Sequence, residues 1–380
     1  MPRAAITIIV ALLLCAPCAS GTSWIVDASG GGDFLTIKEA VIAAAPGDDI
    51  GVRPGTYTGL LNRDIDFGGK DLNLFSSGGP DVTIIDCQTL GRAFHFHSGE
   101  SLDSVIEGFT ITNGYADDGG GIFCTELSSC TIRDCVITYC ATSYDGFVGG
   151  GGVCCNWESA TQMYGCTLRG NSTMLFGGGA LFMSSATPVI QDCVFEDNHA
   201  GISAGGLYVF YDSFAQIYNT MFAGNTSDHH GGGLLISQAG ADIQDCTFYA
   251  NSAAQLGGGI HCYESHPEIF QTIVAFSTDG EGITCGGLAF MSNPSIWNCD
   301  LFGNADGDSL CGDYYDNLYE DPLFCDASAG DLSLCSDSPC LSDNNGWSVT
   351  MGGIGEGCGA CGTGLPEDAT SWTTIKAVFR

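Results

Sequence analysis

One phrase recurs seven times between Gly119 and Leu288: two or three small residues, mostly glycine, followed by an aliphatic. Its members are Gly-Gly-Gly-Ile122, Gly-Gly-Gly-Val153, Gly-Gly-Ala-Leu181, Ala-Gly-Gly-Leu207, Gly-Gly-Gly-Leu234, Gly-Gly-Gly-Ile260 and Cys-Gly-Gly-Leu288. The aliphatic positions are 31, 28, 26, 27, 26 and 28 residues apart. Self-similarity at such a period means a stacked repeat, in which each unit buries its apolar face only against its neighbours.

A second column runs in register with the first. Thr110 to Asn113, Leu168 to Asn171, Phe195 to Asn198, Phe222 to Asn225 and Phe248 to Asn251 share one spacing, and Leu301 to Asn304 repeats it. Five residues ahead of these asparagines lie Cys166, Cys193, Thr220, Cys246 and Cys299, with Cys135 in the same place before Cys140. Cys193-Val-Phe195, Ile122-Phe-Cys124 and Leu234-Leu-Ile236 put apolar side chains at i and i+2, on one face of a short strand. No repeat carries ten residues of helical periodicity, which excludes helical repeats. The expected fold is all-β, a single-stranded parallel β-helix with coils about 4.8 Å apart and an Asn column hydrogen-bonded along the stack.

The ends differ from the middle. Residues 1–21 combine Arg3, an apolar run from Ala4 to Leu14 and small residues before Gly21, the pattern of a secretory signal too short to span a bilayer. The expected product is secreted or held at the outer cell surface. It divides into a solenoid over 22–308, a Cys-rich C-terminal cap over 309–363, and a linker and tail over 364–380, with no membrane-spanning segment. Thr36 and Glu39 form a capping box that opens a short helix closed by Pro46 and Gly47, and this helix covers the open end of the stack. The basic, aromatic tail from Ser371 to Arg380 reads equally as a docking tail, a last strand or a disordered end.

Of 21 cysteines, Cys15 and Cys18 fall in the signal. Cys124, Cys155 and Cys262, and Cys135, Cys166, Cys193 and Cys246, occupy repeat columns and read as small buried core residues, with cross-coil bridges as the alternative. Cys311, Cys325, Cys335, Cys340, Cys358 and Cys361 read as disulfide staples of a segment with little core of its own. Cys358-Gly-Ala-Cys361 has the spacing of a redox or zinc half-site. It lacks a strand-helix context and a second closely spaced ligand pair, which favours structural disulfides.

Ten Lys and Arg face 44 Asp and Glu, and no Lys or Arg lies between Arg169 and Lys376. Nucleic acid is excluded as a partner, because phosphate binding needs clustered Lys or Arg. Anionic membrane surfaces are disfavoured for the same reason. Calcium is the natural counter-charge, and Asp306, Asp308 and Asp313, like Asp117 and Asp118, are hard loop carboxylates suited to it. Solvated acidic turns are the plain alternative. Asn171-Ser-Thr173 and Asn225-Thr-Ser227 fit the glycosylation sequon, but both asparagines belong to the repeat column.

The stretch from Trp24 to Tyr57 resembles the opening of pectin-lyase-like right-handed β-helix proteins, including pectin methylesterases. Gly-Gly-Ala-Leu181 and Phe222-Ala-Gly-Asn225 resemble polymorphic outer-membrane protein repeats. The resemblance implies a right-handed stack, an architecture that hosts lyases, hydrolases, esterases and catalytically silent surface proteins. A pectate lyase would imply an arginine base beside carboxylates, with calcium neutralising the substrate, and Arg133 and Arg169 occupy related places. A glycosidase would imply two carboxylates, and Asp134, Asp192 and Asp245 share one column. Gln191-Asp192 and Gln244-Asp245 are similar to one methylesterase motif, yet their recurrence fits a structural ladder.

Two places break the pattern, Tyr144-Asp145-Gly-Phe147 and Asp228-His229-His230, while His95 and His97 read as outward and solvated. The functional expectation is a monomeric exported scaffold that binds a surface polysaccharide or cell-envelope component by adhesion or glycan recognition, without catalysis. The alternative is a carbohydrate-active enzyme, a lyase or hydrolase of acidic polysaccharide, using Arg133, Arg169, Asp134 and Asp192. A groove holding Arg133 or Arg169 beside several carboxylates would favour the enzyme.

Overall fold

The computed structural model describes residues 21–143, 149–288 and 291–361. The expected signal, the Tyr144 to Phe147 insertion and the terminal tail lie outside these residues. Each coil runs through four sheets, numbered here in the order the chain meets them. One coil comprises Thr131–Arg133 in sheet I, Val136–Thr138 in sheet II, Ala141–Thr142 in sheet III and Val153–Cys155 in sheet IV. Neighbouring coils pair in parallel, so that Ile132 faces Met163, Ile137 faces Leu168 and Cys124 faces Cys155. Sheet I holds 12 strands, sheet II 10, sheet III 6 and sheet IV 8.

The corners explain the polar repeats. Between sheets I and II one residue of each coil is left-handed, including Asp134 (φ 47°), Asp192 (φ 55°), Asn219 (φ 46°) and Asp245 (φ 52°). Asp and Asn tolerate that region better than other side chains because their short polar groups bond locally. The glycine phrase forms the corner before sheet IV and does two jobs. Gly177 takes φ +67°, whereas a Cβ on Gly178 would lie 2.4 Å from the Gly205 carbonyl oxygen of the next coil. One glycine supplies a conformation; the next permits close approach of two backbones.

Register corrects three sequence assignments. Val153 pairs with Ala180, not Leu181, and Ile260 pairs with Ile283. Leu288 is 92 % exposed, because Cys285-Gly-Gly-Leu288 begins on the strand after the corner and merely imitates the phrase. Asn113 is also displaced: it holds the left-handed corner (φ 54°), while Gly114 occupies the column position beside Cys140. Asn suits either place, so sequence cannot separate them. The Asp228-His229-His230 turn keeps the repeat, since His230 bridges Ser203 and Leu256 in the flanking coils.

The bore is filled by aligned apolar columns, among them stacked Phe195, Phe222 and Phe248. Cys124, Cys135, Cys155, Cys166, Cys193, Cys246 and Cys262 are buried free thiols, as expected of small core residues. Asn171, Asn198 and Asn225 are fully buried, so the folded chain presents neither sequon for modification. At the front, Ile37–Ala43 forms α1, which buries Ile37, Ala40 and Val41. Thr36 does not cap it reciprocally: its hydroxyl donates to the Glu39 carboxylate (2.6 Å), and Asn62 Oδ1 accepts the Ile37 N–H (2.9 Å).

The solenoid continues through Asp313–Tyr315, and the chain then turns back along the side of the stack. Phe324–Asp326, Asp331–Cys335 and Glu356–Cys358 make a small separate sheet. Leu332 and Ile354 cover Val194, Met221 and Ala223, while Leu334, Leu341 and Met351 cover Ile273 and Ala275. The disulfides are Cys285–Cys311, Cys325–Cys358 and Cys335–Cys361. Cys340, expected among the staples, is instead a buried thiol.

Gly178→Ala should lower stability by about 1–3 kcal/mol through overpacking, whereas Gly346→Ala, which meets nothing within 4 Å, should change it by less than about 0.5 kcal/mol. Urea unfolding of both variants beside wild type measures the difference, and equal midpoints would refute the close-approach account.

Candidate functional site

A cleft of about 330 Å³ lies where the corner between sheets I and II meets the returning C-terminal segment. Its floor crosses successive coils: Arg133 and Asp134, then Tyr164 and Gly165, then Asp192, then Asn219. Gly353, Ile354 and Gly355 form the opposite wall. The repeat places these groups. Arg133, Tyr164 and Gln191 are register partners on the outward face of sheet I, and Asp134, Gly165, Asp192 and Asn219 are successive left-handed corners.

Gly165 makes the recess. A Cβ there would lie 2.5 Å from Asp134 Oδ1, so a larger residue would push the carboxylate aside. Asp134 and Asp192 are two coils apart, an axial separation of about 10 Å, with the glycine between them. Asp192 is held at both oxygens: Asn219 Nδ2 donates to Oδ1 (2.5 Å) and Gln191 Nε2 to Oδ2 (3.1 Å). It is thus a fixed acceptor. Tyr164 is also anchored, its hydroxyl donating to Gln162 Oε1 (2.9 Å). Asp134 and Arg133 are exposed.

Three of the four candidate catalytic residues, Arg133, Asp134 and Asp192, therefore meet. Arg169 does not join them; it projects from sheet II, with Nη1 4.0 Å from Glu196 Oε2. The calcium candidates serve separate turns. Asp308 accepts from the Gly303 and Asn304 N–H groups, Asp306 from Gly280, and Asp313 from the Asn293 amide. His229 contacts the Gln255 amide (3.0 Å). His95 is outward as expected but not freely solvated: it stacks on Phe123 at 5.2 Å, and burial pushes its pKa down to about 4.

Tyr164, Asn219 and the Gly353–Gly355 wall were not foreseen. The first two lie one repeat from Gln191 and Asp192, so the repeat spacing is the signal that points to them. The wall was signalled by Val194, Met221 and Ile273, apolar residues on the outward face of sheet II that require a cover.

Stacked parallel sheets with a cleft along one corner define a β-solenoid that presents a lateral site. The "Right handed beta helix region" family profile matches residues 25–187, 73–226 and 142–271, and the chain belongs to this family. Among solved structures it resembles pectate lyase Pel9A, with TM-score 0.50 and 14 % identity over 89 % of this chain and 97 % of that one. Pectin methylesterase from carrot aligns at TM-score 0.36 and 11 % identity, over 93 % of this chain and 87 % of that one. The likeness to pectate lyase Pel9A shows the fold. The metabotropic glutamate receptor-like protein R of Dictyostelium discoideum is 34 % identical over 184 residues, 48 % of this chain but 9 % of that protein. The likeness to polymorphic outer-membrane repeats rests on the two quoted phrases alone. No helix among the described residues is long and apolar enough to cross a membrane.

The returning segment also buries a carboxyl group. Asp300 is fully covered, with Oδ1 accepting from the Glu320 N–H (3.2 Å) and Oδ2 from the Cys340 thiol (3.3 Å). Burial pushes its pKa up to about 7. The folded state therefore holds a proton that the unfolded state releases near pH 4, and this contribution to stability declines from there to about pH 7. Asp300→Asn removes the effect. The variant should match wild type near pH 4 and exceed it at pH 8, by up to roughly 4 kcal/mol. Thermal unfolding across that range tests this, and a gap independent of pH would contradict it.

Proposed function

We propose that the protein is an exported polysaccharide-binding scaffold that holds a glycan chain along the corner between sheets I and II. The observation that carries this reading is the convergence of Arg133, Asp134, Tyr164, Asp192 and Asn219 in one cleft on a rigid stack. A guanidinium, two carboxylates, an amide and an aromatic ring are the groups that engage sugar hydroxyls and ring faces, and fixed coils pre-organise them. The cleft runs along the stack, so an extended polymer can meet equivalent positions coil after coil. The signal-like leader and the three disulfides support export. An acidic glycan would need calcium to offset a chain of net charge -34; a neutral one would not.

The second reading, a lyase or hydrolase of acidic polysaccharide, draws support from the same convergence of Arg133 with two carboxylates. Binding is preferred because both Asp192 oxygens already hold amide donors. That arrangement suits a fixed acceptor better than a group that must exchange protons.

Affinity electrophoresis against a panel of neutral and acidic polysaccharides, with and without calcium, should show retardation by at least one polymer. Arg133→Ala should weaken it by about tenfold or more, the worth of a charge-assisted hydrogen bond. No binding to any polymer would remove the proposal, while shortened or unsaturated products would establish the enzyme instead.

A further inference from the structure

The sheet made by the returning segment gathers four sulfurs. Phe324–Asp326 runs antiparallel to Asp331–Cys335, with Phe324 opposite Leu334, and Cys335 is opposite Cys358 on the third strand. The sulfurs of Cys325, Cys335 and Cys358 lie within 4.8 Å of one another. Cys361 adds a fourth through its bond to Cys335. Between the two disulfides, Cys335 Sγ and Cys358 Sγ are 3.6 Å apart.

We propose that in the thiol form Cys325, Cys335, Cys358 and Cys361 bind one zinc ion, so that the segment is closed by two disulfides when oxidised and by a tetrathiolate metal site when reduced. Tetrahedral zinc with Zn–S bonds of about 2.3 Å sets its sulfurs about 3.8 Å apart. The 3.6 Å approach between the two disulfides is already near that spacing, and each bonded pair need part by only about 2 Å. Cys358-Gly-Ala-Cys361 supplies one chelating pair. The other pair is not close in sequence, but the antiparallel turn between Phe324–Asp326 and Asp331–Cys335 sets Cys325 beside Cys335. This answers the sequence objection that no second pair exists.

The surroundings suit such a site. Cys335 is fully buried and Cys325 nearly so, while Cys358 and Cys361 are half-buried, so the ion would be covered on the side that faces the stack. Gly357 lets the third strand lie close against the second, since a Cβ there would lie 2.1 Å from Ser333 Oγ. The redox change balances with a small dithiol as reductant. Two dithiols give four electrons and four protons, both protein disulfides become four thiols, and the dithiols become two disulfides. Zinc then displaces protons from the thiols as they bind as thiolates.

The test uses the full chain, oxidised and dithiol-reduced, equilibrated with zinc, passed over a weak chelating resin and assayed for metal. About one zinc per reduced chain and none per oxidised chain is expected. Cobalt in place of zinc should give the charge-transfer absorption of a tetrahedral thiolate site, a readout that requires no variant. Cys358→Ser and, as a milder change at a half-buried position, Cys361→Ser should each lower zinc retention at least tenfold. Cys124→Ser, which alters the buried thiols of the bore, should not. The proposal is overturned if the reduced wild type retains no zinc, if cobalt gives no thiolate absorption, or if retention survives Cys358→Ser and Cys361→Ser.

Discussion

The structure depends on a buried ladder of side-chain amides. Asn171 offers its backbone N–H and its Nδ2 to Asn198 Oδ1, Asn198 does the same to Asn225, and Asn225 to Asn251. The remaining amide hydrogens reach the carbonyl oxygens of Ile137, Leu168 and Phe195. In a dry interior an unmade hydrogen bond costs about 1–3 kcal/mol, so a slip of one residue in any coil from Asn171 to Asn251 would strand several polar groups. The ladder therefore fixes the register that aligns every other column, including the corner carboxylates of the cleft.

Where the amide is replaced, the substitute reproduces part of its role. Cys140 and Ser277 stand in the ladder and pass their backbone N–H groups to Asn171 and Asn304. The Cys and Thr column behaves likewise: Cys193 Sγ lies 3.2 Å from the Gln191 carbonyl oxygen, and Thr220 Oγ1 lies 2.8 Å from that of Tyr218. A thiol and a hydroxyl of similar size give the same local bond. This explains why so many cysteines of the stack stay unpaired: they fill space and satisfy a carbonyl.

Periodicity made the architecture readable, and the errors came from residues that satisfy two positions at once. Asn113 fits a corner as well as a ladder, and Leu181 follows an alanine that holds the inward place. The cleft was half legible. Asp134 and Asp192 read as one column, but a column alone does not show that the glycine between them opens a recess. Nor does it show that a segment more than a hundred residues later forms the facing wall. Arg169 failed as a partner because one corner separates sheet I from sheet II, and a corner redirects a side chain more than sequence spacing reveals.

A solenoid held only by neighbour contacts can fray from an end, one coil at a time. Here the returning segment touches Val194, Met221, Thr247, Ile273 and Asp300, one outward residue from each of five successive coils. Peeling the last coil would first require the whole segment to lift away from the side of the stack. It behaves as a batten nailed across planks, so that loss of coils from this end becomes one concerted event rather than a sequence of small ones.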